Sequence, residues 1–93
     1  MPFVVVDTVR ITDVKDAIES LHSQIVPAIK QAPGFVRGAW SSNQKGDRGL
    51  GFVIYETREQ AEQAKQFMES GNAPLPDSVK FDTIEIYEVQ AEA

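Results

Sequence analysis

The chain has 93 residues, of which 42% are hydrophobic and 25% charged, and a formal net charge of −5. That composition suits a single folded domain over residues 1–93 with one small core and argues against disorder. It contains no cysteine, which excludes disulfides, thiolate nucleophiles and cysteine-held zinc or iron–sulfur centres. No apolar run approaches the ~20 residues of a membrane span, and the first residues do not resemble a signal peptide. A cytoplasmic protein without a membrane partner is therefore expected. The nine Lys and Arg residues are scattered and outnumbered by 14 Asp and Glu, which argues against nucleic acid as a partner, because phosphate contacts need clustered cations.

The first element is a strand. Phe3-Val4-Val5-Val6-Asp7-Thr8-Val9 is apolar and β-branched enough to be buried on both faces, hence central in its sheet. Thr12 or Asp13 is a suitable helix N-cap. Val14, Ile18, Leu21, Ile25, Ala28 and Ile29 then recur at helical spacing, with Lys15, Asp16, Glu19, Ser23 and Lys30 on the opposite side. Pro27 predicts a kink or a second short helical piece, since it lacks the N–H and clashes one turn back. Pro33-Gly34 ends the helical region.

From Gly34 to Tyr55 two apolar, aromatic runs flank a polar connector containing Gly46, the pattern of a β-hairpin. A hairpin centred on Gly46 places Trp40 opposite Phe52 and Gly38 opposite Ile54. Trp40, Leu50, Phe52 and Ile54 then share one face, and Phe35, Arg37, Ala39, Val53 and Tyr55 the other. A slip of one residue would move Trp40 to the second set.

Thr57-Arg58-Glu59-Gln60 forms a capping box opening a helix from about Arg58 to Ser70, with Gly71 as its C-terminal stop. Residues 72–77 form a proline-containing loop, residues 79–89 a last strand, and residues 90–93 a tail expected to fray. The order β-α-β-β-α-β predicts an α+β, ferredoxin-like sandwich: a four-stranded antiparallel sheet with both helices on one face. The other face then carries an apolar patch of the kind that marks an interaction site.

Two resemblances follow. Arg48-Gly49-Leu50-Gly51-Phe52-Val53-Ile54-Tyr55 is similar to the third-strand signature of the RNA-recognition motif, but Leu50 stands where an aromatic would stack a base. Phe52, with Phe3, would be left to stack, and the Ile25–Pro33 extension is unlike that family. The second resemblance covers nearly the whole chain. The early apolar strand, the long first helix ending Val26-Pro27-Ala28-Ile29-Lys30-Gln31-Ala32-Pro33-Gly34-Phe35-Val36, and Tyr55-Glu56-Thr57-Arg58-Glu59-Gln60-Ala61 resemble the dimeric α+β barrel superfamily, in its antibiotic-biosynthesis-monooxygenase-like branch. That resemblance implies a homodimer in which two sheets pack face to face into an α+β barrel, with Trp40, Leu50, Phe52 and Ile54 at the interface. It also implies a ligand pocket between sheet and helices, and oxygenase chemistry without cofactor on a small aromatic molecule. Haem-degrading members are a poor match, because this chain has Asp7 rather than Asn in its first strand and no histidine in its second helix.

Candidate site residues follow from that implication. His22, the only histidine, is either a pocket-lining acid or base or a boundary residue bonded to backbone or solvent. Arg37 and Tyr55, opposite one another in the hairpin as drawn, would orient a phenolate or carboxylate. The alternatives are a snorkelling surface charge and a strand-end aromatic. Asp7 and Trp40 are candidate ligand-binding groups. Trp40 could equally pack in the dimer interface, and Asp7 could lie at the end of the sheet. No metal set is present, since one histidine without cysteine does not make one. The leading reading is a cofactor-independent monooxygenase. The second is a ligand-binding or accessory protein of the same fold, and the third a single-stranded RNA binder.

Overall fold

A computed structural model describes all 93 residues, Met1–Ala93. The elements are β1 (Phe3–Ile11), α1 (Val14–Ser20), a π-helical segment (Leu21–Ile25), α2 (Val26–Lys30), β2 (Phe35–Ser42), β3 (Arg48–Tyr55), α3 (Arg58–Glu69) and β4 (Val79–Glu88). They form the expected ferredoxin-like arrangement: one antiparallel sheet, ordered β2-β3-β1-β4, with β1 and β3 in its middle.

Asp13 is the cap of α1, its carboxylate accepting the Asp16 backbone N–H at 3.2 Å. α1, the π segment and α2 run on from one another as a single helical arm. Proline explains the π turn: Pro27 has no N–H to give, and the register loosens just before it, so that the Val26 N–H bonds back to the Leu21 carbonyl. At α3 the capping box is complete, with the Gln60 side chain accepting the Thr57 N–H and Thr57 Oγ1 accepting the Gln60 N–H.

The hairpin register differs from the expectation by one residue. Trp40 pairs with Gly51 and Gly38 with Val53, not with Phe52 and Ile54. The cause is the Asn43 carboxamide. Its Oδ1 accepts the N–H groups of Gly46, Asp47 and Arg48, each at 3.1 Å, which sets Asn43 opposite Arg48 and leaves four residues in the turn. Every β2 side chain from Arg37 onward is therefore reversed. Trp40 joins Val53 and Tyr55 on the helix-facing side, so it is not an open-face interface residue. Arg37 and Ala39 join Leu50, Phe52 and Ile54 on the open side. A bulge between Phe35 and Arg37 keeps Phe35 with Tyr55 in the core.

Only ten residues are fully buried, for two reasons. One face of the sheet has no helix on it. On the other, α3 packs directly against β1, β3 and β4, whereas the first helical arm stands off the sheet until its end, where Ile29 reaches the core. The tight core is Val5, Val53, Tyr55 and Ala61, beneath α3. Residues 90–93 are exposed, and the chain end touches the sheet at two points. Val89 donates its N–H to the Pro2 carbonyl, and Glu92 pairs with Arg37 at 3.2 Å. To reach β2 from β4 the tail must cross β1 and β3 on the open side. Ile54, only 5% exposed on that otherwise open face, lies along this path.

Gly34 ties the hairpin to α3. Its φ of +78° is left-handed, and a Cβ there would overlap the Gln60 carboxamide that caps the helix. Gly34→Ala is expected to destabilise the fold by about 2 kcal/mol, from backbone strain plus the lost cap, read as a lower urea midpoint at unchanged m-value.

Candidate active site: a cavity between the sheet and the helical arm

The gap beneath the helical arm is a cavity of about 460 Å³, and 20 of its 29 lining residues are hydrophobic. Its roof comes from the apolar stripe of the arm, including Ile18, Leu21, Ile25 and Ile29, and one side from Ala64, Phe67 and Met68 of α3. Its mouth is apolar as well: Ile18 and Phe67 line it yet remain about half exposed. Empty cavities of ~150 Å³ already take up benzene, so this one has room for roughly two or three fused rings.

The floor is the sheet, and two glycines shape it. A Cβ on Gly51 would meet Trp40 Cδ1 at 2.7 Å and Nε1 at 3.0 Å, and one on Gly38 would meet the far end of the indole, Cη2, at 3.1 Å. The Trp40 ring therefore lies flat along the sheet, across two positions where any other residue would lift it. Its upper face becomes the floor of the cavity, a surface on which a flat aromatic ligand stacks.

Asp7 is the second feature. It sits in the middle of β1, paired with Gly51 on one side and Ile84 on the other, and is 6% exposed. Its Oδ2 lies 3.0 Å from the same Gly51 Cβ position that Trp40 Nε1 approaches, so carboxyl and indole N–H converge over one glycine. Burial alone pushes its pKa up to about 6, with no hydrogen bond or cation from the chain to offset the effect. No Lys, Arg or His lines the cavity, and Asp7 is its only carboxylate. Tyr55 also lines it, its hydroxyl pKa raised by burial.

The structure thus brings together three of the five sequence candidates, Asp7, Trp40 and Tyr55. It separates the other two. His22 is exposed in the π segment and does not line the cavity. Arg37 is on the opposite face of the sheet from Tyr55, paired with Glu92, because the hairpin register reverses it. Gly38 and Gly51 were missed as site residues. Their signal was Gly49-Leu50-Gly51 in one strand beside Gly38-Ala39-Trp40 in the next, which is where a backbone must admit a large ring. Phe52 lies on the open face, where an RNA-recognition motif would stack a base, with Leu50 next to it on that face.

Neither a family model nor a curated protein matches the chain in sequence. Solved structures match it closely in fold. SnoaB from Streptomyces nogalater, a cofactor-independent oxygenase, superposes with a TM-score of 0.72 at 13% identity, over 98% of this chain and 95% of that one. The monooxygenase of the ActVA-Orf6 gene of Streptomyces coelicolor, solved with nanaomycin D, gives 0.63 at 14% identity, over 98% and 89%. A dimeric ferredoxin-like protein from an uncultured marine organism gives 0.63 at 18% identity, over 99% and 98%. The fold is that of antibiotic-biosynthesis-monooxygenase-like proteins.

An unpartnered carboxylate held in an apolar cavity lowers stability. The raised pKa means that the native state binds the Asp7 proton more tightly than the unfolded chain does, so stability contributed by this group is present at low pH and lost as pH rises from about 4 to about 6. Asp7→Asn is expected to stabilise the protein at pH 7.5 by up to about 3 kcal/mol and to have little effect at pH 3.5. Paired urea titrations at the two pH values check this.

Proposed function

We propose that the chain is a cofactor-independent monooxygenase acting on a small, electron-rich aromatic molecule in the sheet–helix cavity, with Asp7 as its base. The observation that carries the reading is one buried carboxyl, poised near pH 6, beside a flat indole in an otherwise apolar cavity. A base is most effective when its pKa lies near the working pH. The fold neighbours named as a cofactor-independent oxygenase and a monooxygenase support the reaction class.

The chemistry asks little of the protein. An anthrone, stacked on Trp40, loses one proton from its methylene carbon to Asp7. The resulting phenolate-like anion is electron-rich enough to reduce dioxygen. Dioxygen bonds to that carbon as a hydroperoxide; the O–O bond then breaks as the carbon loses its second hydrogen, leaving a carbonyl, and the outer oxygen leaves as water. Asp7 returns its proton in forming that water. The apolar walls exclude bulk water from the anion, and Tyr55 contributes a hydroxyl at the cavity wall.

With an anthrone substrate, oxygen uptake is expected to match quinone formation one to one. The rate should rise with pH through a limb near 6, because Asp7 must be ionised to act. Asp7→Asn is expected to lower kcat by about 10²-fold or more while the protein remains folded. The thinness of the polar set, with Asp7 the only carboxylate, favours a second reading, a ligand-binding protein. Tight binding of the aromatic without oxygen uptake would select it.

Homodimerisation completes the proposal. The open face carries Val4, Val6, Leu50 and Phe52, and Leu50 is 47% exposed. At one end Arg48, Arg10 and Lys80 stand in a cross-strand row, a like-charge arrangement that Asp82, 3.9 Å from Arg10, offsets only in part. Glu85 lies on the same face toward the other end, so a two-fold pairing can set opposite charges against each other. Sedimentation equilibrium is expected to give a dimer, and Phe52→Glu a folded monomer. A wild-type monomer would remove the barrel and turn attention to single-stranded RNA on the open face.

A further inference from the structure

We infer that the cavity selects its ligand by charge as well as by shape: it admits an uncharged flat aromatic carrying a hydroxyl and excludes the same ring system carrying a carboxylate. The inference rests on the reading of this cavity as the ligand site, and it does not require that the ligand be oxidised there.

Three observations carry it. The first is the charge of the lining. Asp7 is the only carboxylate and no Lys, Arg or His reaches the cavity. The cations of the three neighbouring strands lie on the far side of the sheet. Arg37 is paired with Glu92 on the opposite side of the sheet, and Arg10 and Arg48 are exposed and directly paired in the β1–β3 register on that same side. An anionic ligand would set a second negative charge near Asp7 in an apolar enclosure, with nothing to neutralise either.

The second is the unmet demand of Asp7. Its carboxyl takes no hydrogen bond from the chain, and since no sealed side-chain oxygen is left unbonded, its oxygens are open to the cavity. The partner it lacks is a donor, and the cavity is where that donor can come from. A ligand hydroxyl supplies one, and a ligand carboxylate does not.

The third is the placement of the indole. Gly51 brings Trp40 Nε1 and Asp7 Oδ2 to the same point on the sheet, and Gly38 lets the ring lie flat. A ring stacked on Trp40 therefore has its edge beside Asp7. A carboxylate on that edge would meet Asp7 instead of avoiding it, because the stacking surface and the acceptor are built over one residue.

The test uses 2-naphthol and 2-naphthoate, which share a ring system, titrated separately into the protein at pH 8 with quenching of Trp40, the only tryptophan, as the signal. The naphthol is expected to bind at least about ten-fold more tightly than the naphthoate. In Asp7→Asn the preference should collapse toward parity, chiefly because the naphthoate gains. Equal or tighter naphthoate binding by the wild type overturns the inference, and that comparison needs no variant. A preference that survives in a folded Asp7→Asn protein overturns the role of Asp7. Failure of both compounds to bind overturns the inference together with the cavity as a ligand site. Selective naphthol binding with no oxygen uptake on any anthrone leaves this inference standing and removes the oxygenase.

Discussion

One carboxyl group organises the functional half of this molecule. Asp7 occupies a central strand, where its neighbours in sequence and across the sheet are nearly all apolar, and it faces a cavity that supplies no cation and from which no side chain hydrogen-bonds to it. Burial without compensation is unfavourable to the folded state and raises the pKa toward neutrality. A protein built only for stability would place Val or Asn there. Strain retained at one place in an otherwise consistent fold is a reason to look for function at that place.

The architecture around Asp7 leaves it in that condition. α3 closes tightly over Val5, Val53 and Tyr55 and provides the rigid end of the sandwich. The first helical arm does not close down in the same way, and the space between it and the sheet remains open as the cavity. Gly38 and Gly51 then lower the floor by the thickness of a side chain, so the indole of Trp40 can lie flat without filling the space above it. The same glycine places carboxyl and indole side by side. Shape, stacking surface and acceptor thus depend on a few backbone positions in β1, β2 and β3.

Much of the fold was legible in the sequence because its signals are local. The run Phe3–Val9 gave a central strand, the stripe from Val14 to Ile29 gave the arm, and Thr57 with Gln60 gave the start of α3. The hairpin register was not legible. It depends on one carboxamide, Asn43, closing a four-residue turn with three hydrogen bonds, and composition does not distinguish that turn from one a residue longer. The consequence for the site was large, since a one-residue slip carries Trp40 from one face of the sheet to the other and separates Arg37 from Tyr55. His22 failed as a candidate for a different reason. The stripe from Val14 to Ile29 lines the cavity as helical spacing predicts, but His22 lies at its edge, where a flank position turns outward to solvent. Asp7 was visible as an oddity, but its burial is a tertiary fact.

The state of Asp7 itself is the most direct test of this account. Its side-chain carboxyl carbon can be followed by NMR across a pH titration of the folded protein. A midpoint near 6 is the expected result, and it would establish an unpartnered, desolvated carboxyl in the cavity. A midpoint near 3.8, the value of a free aspartate, would mean that water or a donor reaches the group, and the site described here would not exist in that form.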